Sequence, residues 1–180
     1  LSDCSPLPVT AWMNVFFVWG GDAPPKSPDH PVRRHPEWLL RDASGKSVSE
    51  YTAEERARGW IEGAYADPAS EDYRGRFALL AAEVAANYRV RGVHLDFIRY
   101  PGPDYGQTGE LGNAFRARYG FDPALVPAEF GTVDLRRWLA DDTSEADRFL
   151  TTAKLLWAWM RAEEVTALVR RVRGALTAAR

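Results

Sequence analysis

The residues with the clearest chemical potential lie in one short segment, residues 92–101 (GVHLDFIRYP). If this segment is a β-strand, its period of two places His94 and Asp96 on the same face. An unpaired carboxylate in a nearly apolar strand costs several kcal/mol, so Asp96 needs either a partner or a chemical role. Two alternatives follow for Asp96, a structural ion pair with Arg99 or a catalytic carboxylate. For His94 the alternatives are a hydrogen-bonded interior histidine or a group that transfers protons.

Two apolar segments are predicted to form the strands that position these side chains. Residues 9–19 are rich in β-branched and aromatic side chains, which is typical of a strand buried on both faces, with Asn14 as the polar exception. Residues 93–98 form the second strand. Its Val, Leu and Phe side chains are expected to face helices, so His94 and Asp96 would point to the opposite, interior side.

Helical patterns precede and follow the second strand. Asp67 and Pro68 provide an N-cap and a proline at the first helical position, and an apolar stripe follows them. A second, longer helix is predicted to begin at Ser144, with a break near Glu163 and Glu164. Strand, helix and strand in this order predict a βαβ unit with parallel strands, and therefore the α/β class.

The length suits a single domain, since the chain has 180 residues and 46% of them are hydrophobic. Two strands cannot close a barrel, however, and a complete (β/α)₈ domain has about 250 residues. The sequence therefore predicts a fragment of a larger α/β domain.

Charge and composition exclude several classes of partner. The net charge of −2 and the pI of about 6.0 argue against nucleic acid and anionic membrane surfaces, because phosphate binding relies on a basic excess. No apolar run approaches the roughly 18 residues of a membrane-spanning helix, and the first residues do not resemble a signal peptide. Cys4 is the single cysteine, so we expect neither an internal disulfide nor a thiolate metal cluster.

Cofactor and metal motifs are not found. His30 and His35 lie five residues apart in a proline-rich loop, without the spacing of a zinc site. There is no glycine-rich phosphate loop and no G-x-S-x-G nucleophile motif. We therefore expect no cofactor, no metal, and neither phosphoryl transfer nor serine-ester chemistry.

Five segments in this order resemble the glycosyl-hydrolase-like family ten of bacterial polysaccharide-degrading proteins. They span nearly the whole chain, and GVHLDFIRYP is the most specific of them. The segments are residues 9–20 (VTAWMNVFFVWG), 35–39 (HPEWL), 65–68 (YADP), 92–101 (GVHLDFIRYP) and 157–172.

The resemblance implies a TIM-barrel catalytic domain, usually exported, and so an extracellular or cell-envelope location. Residues 9–20 would be the third barrel strand and residues 92–101 the fourth. Residues 1–180 would then be a partial (β/α)₈ barrel, part of a single glycoside-hydrolase-like domain truncated at both ends. An aspartate that ends the fourth strand is the nucleophile in related retaining glycosidases, and by analogy this role falls to Asp96.

Glycoside hydrolysis normally uses two carboxyl groups. The second could lie outside the chain, or it could be Asp22, Asp104 or Glu110, each on a loop predicted to follow a strand. Their alternative role is that of exposed loop charges.

Six residues are candidates for sugar contacts. A strand-borne amide such as Asn14 can bind sugar hydroxyls, and Trp19 and Trp38 could stack on sugar rings or pack in the core. The full set of predicted substrate-binding residues is Asn14, His94, Arg99, Tyr100, Trp19 and Trp38.

The sequence thus favours an O-glycosyl hydrolase acting on a polysaccharide or oligosaccharide, with Asp96 as nucleophile or stabilising carboxylate. The alternative is a non-catalytic carbohydrate-binding or scaffold module with a degenerate barrel site. A carboxyl group at glycosidase distance from Asp96 would favour the enzyme.

Overall fold

The computed structural model describes residues 7–21, 23–59, 61–126 and 144–179. Four strands and five helices lie within these residues, together with single 3₁₀ turns. The strands are β1 (Thr10–Asn14), β2 (Phe17–Trp19), β3 (Ala64–Tyr65) and β4 (Gly92–Asp96), and the helices are α1 (Pro31–Arg34), α2 (Ala53–Gly59), α3 (Glu71–Asn87), α4 (Gly109–Tyr119) and α5 (Glu145–Ala178). The 3₁₀ turns are Pro36–Trp38, Val48–Glu50 and Pro123–Leu125.

The predicted α/β class is confirmed, but the predicted partial TIM barrel is wrong. Strands β1 and β4 form one parallel pair, and β2 and β3 form a separate antiparallel pair. A barrel requires every strand to have a neighbour on both sides. Within the described residues each strand has one neighbour, so the structure is a small α/β fold in which no barrel closes.

The predicted single strand over residues 9–19 is divided at Val15 and Phe16, which are fully buried. Val15 donates a 2.8 Å backbone hydrogen bond to Asp96, on the β4 side, whereas the carbonyl of Phe16 accepts a 2.7 Å bond from Ala66, beyond β3. The chain therefore changes partners within two residues. This change separates the two strand pairs and ends the continuous sheet that a barrel would need.

The expected burial of this strand on both faces is also wrong for β1. Trp12 is 70% exposed, and Asn14 is exposed as well, while Ala11 and Met13 are partly buried. Such alternation is typical of a strand with one face against the core and one face open. The open face of β1 is the side on which its polar and aromatic residues lie.

Helices α3 and α5 cover the other side of the parallel pair. Helix α3 begins at Glu71 after Ser70, so the expected N-cap at Asp67 is wrong. Phe77 and Ala81 of α3 and Leu168 of α5 belong to one buried cluster, against which Leu95 of β4 packs. Leu95 therefore packs with the helices, as expected. The strand ends at Asp96, however, and Phe97, which was expected on the same face, stacks on Phe17 of β2.

Helix α5 is continuous, so the predicted break near Glu163 and Glu164 is wrong. The helix begins after Ser144, whose hydroxyl accepts a 3.1 Å bond from the backbone N–H of Asp147. Glu164 pairs with Arg74 of α3, and Glu163 pairs with Arg118 of α4. Because each acidic side chain meets an arginine of a neighbouring helix, the helix passes through the pair without interruption.

Helix α4 docks on the first half of α5 through aromatic packing. The Phe115 ring meets Trp157 edge-on, with centroids 5.1 Å apart, and both side chains are almost completely buried. Their cluster also contains Leu111, Ala153 and Met160. The segment that follows β4 is thereby fixed to α5.

None of the helices in the described part of the chain combines the length and the apolar character that a membrane crossing requires.

Candidate functional site

The register of the parallel pair assembles a group of polar and aromatic residues at the end of β4. Trp12 lies opposite His94, and Asn14 lies opposite Asp96. The indole Nε1 of Trp12 donates a 2.9 Å hydrogen bond to Oδ2 of Asp96. The other carboxylate oxygen, Oδ1, accepts a 2.7 Å bond from the backbone N–H of Phe97. Asp96 is therefore held in one orientation by contacts from two directions.

Trp12 and His94 form an aromatic pair on the open face of the sheet. Their ring centroids are 4.4 Å apart, and the ring planes are inclined at 43°. Trp12 remains 70% exposed despite this contact. A large ring that is fixed at its edge and open on its surface can serve as a stacking platform for a ligand.

The backbone turns sharply immediately after Asp96. Phe97 has a φ of +49°, which is rare for a residue with a bulky side chain. Its ring stacks on Phe17 with a centroid separation of 4.7 Å. Because strained backbone conformations persist only where packing holds them, this stack keeps the Asp96 carboxylate at the strand end.

Arg99 does not form the ion pair with Asp96 that the sequence offered as one alternative. Its guanidinium instead contacts Oε1 of Glu62 at 2.8 Å, and the two side chains are about half exposed at 52% and 47%. The Tyr65 hydroxyl donates a 2.6 Å hydrogen bond to the other oxygen of Glu62. Asp96 therefore stays within electrostatic reach of Arg99 without being bound to it, and its charge helps to raise the pKa of Arg99.

Glu62 is a second carboxylate in this group, and sequence analysis did not identify it. The hydrogen bond from Tyr65, together with the Arg99 guanidinium, holds the pKa of Glu62 below its usual value in spite of partial burial. Glu62 is thus a stably ionised group. No local sequence pattern identifies Glu62, because it lies in a loop 37 residues before its partner Arg99.

Sequence analysis did not identify Trp12, and the two tryptophans that it predicted to bind sugar, Trp19 and Trp38, are used in packing. Trp38 is 8% exposed, and its ring stacks on His35 with centroids 3.8 Å apart. Trp19 donates a 2.9 Å hydrogen bond to the carbonyl of Ala23 and so fixes the loop that follows β2. Neither ring lies beside Asp96.

Tyr100 is turned into the interior, away from the open face. The guanidinium of Arg161 lies over its ring, 3.9 Å from the centroid. Burial raises the pKa of the Tyr100 hydroxyl well above its usual value. Asn14, in contrast, lines a cavity of about 450 Å³ beside α3.

The carboxyl groups proposed from sequence as general acids are dispersed. Asp22 lies outside the described residues. Glu110 is exposed in the first turn of α4, and Asp104 is exposed on the loop after β4, where it lines a cavity of about 650 Å³.

Asp67 is a buried carboxyl group that the sequence assigned only to a helix cap. Its oxygens accept backbone hydrogen bonds from Ala69 at 2.9 Å and from Leu111 at 3.3 Å. Burial raises its pKa from 3.8 to about 6, against the effect of these bonds. These bonds fasten α4 to the segment before α3. Asp67 is only 2% exposed, so its carboxyl group is shielded from solvent.

Among the residues that the structure describes, no three histidine, cysteine, aspartate or glutamate side chains are grouped so as to hold a metal ion. No protein-family model matches the sequence, and no curated protein has a significant match to it. The geometry around Asp96 therefore has to carry the functional argument.

Proposed function

We propose that this chain contributes a glycoside-hydrolase site, with Asp96 as nucleophile or transition-state-stabilising carboxylate, which acts on a polysaccharide. The observation that carries the proposal is the fixed carboxylate of Asp96 at the end of β4, bonded to the exposed indole of Trp12. A carboxylate beside an aromatic ring matches the two needs of glycoside chemistry. The ring binds a sugar face, and the carboxylate stabilises positive charge that develops in the oxocarbenium-like transition state.

Neighbouring side chains supply polar contacts for sugar hydroxyls. His94 lies against Trp12, and Asn14 lies opposite Asp96 in the register. The side chains of His94 and Asn14 are both exposed. Arg99 would bind hydroxyls beside the carboxylate. The order of the five sequence segments that resemble family ten supports the same chemistry, and it supports export to the cell envelope or beyond.

Glu62 is the second carboxylate of the proposed site. Because its pKa is lowered, it is ionised near neutral pH and is suited to stabilise a cation. It is poorly suited to donate a proton, so the general acid that protonates the leaving-group oxygen would be a different group. A separation of about 5 to 5.5 Å between Asp96 and that acid would give retention, and one of about 6.5 to 9.5 Å would give inversion.

A second candidate function is carbohydrate binding without hydrolysis. It is favoured by the fact that both oxygens of Asp96 already accept hydrogen bonds from Trp12 and Phe97. A carboxylate held in this way can orient a tryptophan platform without taking part in bond cleavage.

Hydrolysis and binding assays on a panel of bacterial exopolysaccharides and peptidoglycan would separate the two functions. We would compare the wild type with Asp96→Asn and with Asp72→Asn, a control on the exposed first turn of α3. If Asp96 is catalytic, Asp96→Asn lowers kcat by at least about a hundredfold and retains binding. Binding without turnover in all three proteins would identify a binding module, and neither binding nor turnover would overturn both functions.

A further inference from the structure

We propose that the cavity beside the loop that follows β4 is a second sugar subsite, which takes an uncharged glycosyl unit of the same polysaccharide chain that binds at Asp96. This inference rests on the proposed function, and it adds a second contact surface and a substrate class to it.

The cavity lies between the segment 42–61 and the loop 101–105. Its volume is about 650 Å³, which falls within the range of about 300–1,000 Å³ that is usual for small-molecule sites. Its walls combine aromatic rings, prolines and polar groups. The lining residues include Asp42, Ala43, Tyr51, Glu55, Arg58 and Asp104.

The Arg99–Glu62 ion pair is close in sequence to two residues that line this cavity. Ile61 lines the cavity and directly precedes Glu62, and Pro101 lines it two residues after Arg99. The guanidinium and carboxylate meet at 2.8 Å, and the charge of Asp96 acts on the same guanidinium. A saccharide bound at Asp96 can therefore continue across the exposed ion pair into the cavity.

The tyrosine wall of the cavity is held rigidly. The Tyr51 hydroxyl bonds to Oδ2 of Asp42 and lies 3.2 Å from the hydroxyl of Tyr105. The other oxygen of Asp42 accepts bonds from the Ser44 hydroxyl and from two backbone N–H groups. Burial and the bond to Asp42 raise the pKa of Tyr51, so the hydroxyl remains protonated. Groups fixed in this way lose little freedom when a ligand binds.

The charges around the cavity select against acidic sugars. Three carboxylates, Asp42, Glu55 and Asp104, and one guanidinium, Arg58, line the cavity. Glu55 pairs with Lys46 at 2.8 Å and Arg58 with Glu54 at 3.9 Å, so Asp42 and Asp104 leave the surface net negative. Burial acts to raise the pKa of Asp42, but the groups that donate hydrogen bonds to it lower the pKa by more. The pKa therefore lies below its usual value, and Asp42 is ionised near neutral pH. Carboxylates accept hydrogen bonds from hydroxyls and repel other carboxylates. Neutral sugars fit this surface, and uronic acids do not.

Calorimetric titration with sugar ladders tests the subsite. The probes are cello-oligosaccharides and N-acetylchito-oligosaccharides of two to six units, together with oligogalacturonates as the acidic series. The variants are Ala43→Trp, which fills the cavity from an exposed turn, and Asp104→Asn, with Asp72→Asn as a charge-matched control. Thermal unfolding followed by circular dichroism verifies that each variant is folded.

For the wild type we expect affinity for one neutral series to rise with length, and no binding of oligogalacturonates. Ala43→Trp and Asp104→Asn should each weaken the longest neutral probe about tenfold and leave the shortest unchanged. Length-independent binding, or variants that bind like the wild type, would refute the subsite and leave the proposed function intact. If the wild type binds neither neutral series, the subsite proposal fails, while the proposed function is decided separately by the exopolysaccharide and peptidoglycan assays. Preferential binding of oligogalacturonates would overturn the substrate class.

Discussion

The indole of Trp12 and the carboxylate of Asp96 are joined by a 2.9 Å hydrogen bond between two parallel strands. Trp12 belongs to β1 and Asp96 to β4, and 84 residues separate them in the chain. The bond gives the exposed ring a fixed orientation and occupies one lone pair of the carboxylate. Sugar binding and catalysis at the proposed site would therefore be coupled through this contact.

Two substitutions at Trp12 separate the contributions of the ring and its N–H group. Trp12→Phe keeps an aromatic surface but removes the donor, so we expect kcat to fall about tenfold with little change in binding, because a hydrogen bond to a charged group is lost. Trp12→Ala should in addition weaken sugar binding by about three- to tenfold. Kinetics and calorimetry on the most responsive polysaccharide provide both values.

Trp159→Ala is the matched control for these measurements, since Trp159 is 62% exposed on α5. It should affect neither kcat nor binding. Equal losses in Trp12→Phe and Trp12→Ala would show that the ring surface contributes nothing.

Glu62 is expected to matter more for activity than for stability. Its ion pair with Arg99 is about half exposed, and exposed pairs contribute at most about 1 kcal/mol. Glu62→Gln keeps the size of the side chain and should change the free energy of unfolding by less than about 1 kcal/mol, while it lowers kcat at least about tenfold.

A double-mutant cycle with Arg99→Gln, followed by urea unfolding and by activity, measures both effects. The pair Arg34–Asp29 supplies a control, because its side chains are 62% and 77% exposed and it joins the end of α1 to Asp29 just before that helix. Glu62→Gln with full activity would remove Glu62 from the proposed site.

Asp67 should make stability depend on pH in a direction opposite to that of an ordinary ion-paired carboxylate. Its pKa rises from 3.8 to about 6 on folding because burial penalises the charged form. The protonated carboxyl group is therefore the form that the folded protein favours. The stability that it contributes is fully present below pH 4 and is lost as the pH rises through about 6. The raised pKa corresponds to about 3 kcal/mol.

Asp67→Asn removes this titration. Relative to the wild type, the variant should gain about 3 kcal/mol in its free energy of unfolding between pH 4 and pH 8. Urea titrations across this range measure the difference, with Asp72→Asn as an exposed control. A constant difference at every pH would show that Asp67 does not titrate on its own in the folded protein.

The docking of α4 on α5 depends on Trp157. This side chain is 1% exposed and meets Phe115 edge-on. Trp157→Ala should lower the free energy of unfolding by about 3–5 kcal/mol, since a buried aromatic ring is replaced by a cavity. Trp159→Ala, two positions along the same helix, should change it by less than about 0.5 kcal/mol because its ring is exposed. Similar losses in both variants would contradict the assigned burial pattern.

Local patterns in the sequence were sufficient for several elements. The strand that carries His94 and Asp96 and the long helix that begins after Ser144 are present, and so is the helix predicted to follow Asp67, although it begins at Glu71. These elements follow from hydrophobic periodicity and capping, which act over a few residues. The same period of two correctly predicted that Leu95 of β4 packs with the helices, but not that the strand ends before Phe97.

Other features depended on contacts between distant residues. Residues 9–19 are divided into two strands at Phe16. Its backbone N–H bonds to Phe97, after β4, whereas its carbonyl bonds to Ala66, after β3. The choice of Glu62 over Asp96 as the partner of Arg99 likewise depends on where two loops meet. No periodic pattern encodes such pairings, because they are selected by packing among elements far apart in the chain.

The sequence by itself determined the α/β class, the two main helices and the strand that ends in Asp96, because hydrogen bonding and burial along one element are local properties. Tertiary structure alone decided that the strands form two separate pairs and not part of a barrel. It also decided that Trp12 lies exposed beside Asp96, with Glu62 bound to Arg99 nearby. The physical reason is that strand partners and side-chain contacts minimise the free energy of the whole packed chain, to which residues far apart in sequence contribute together.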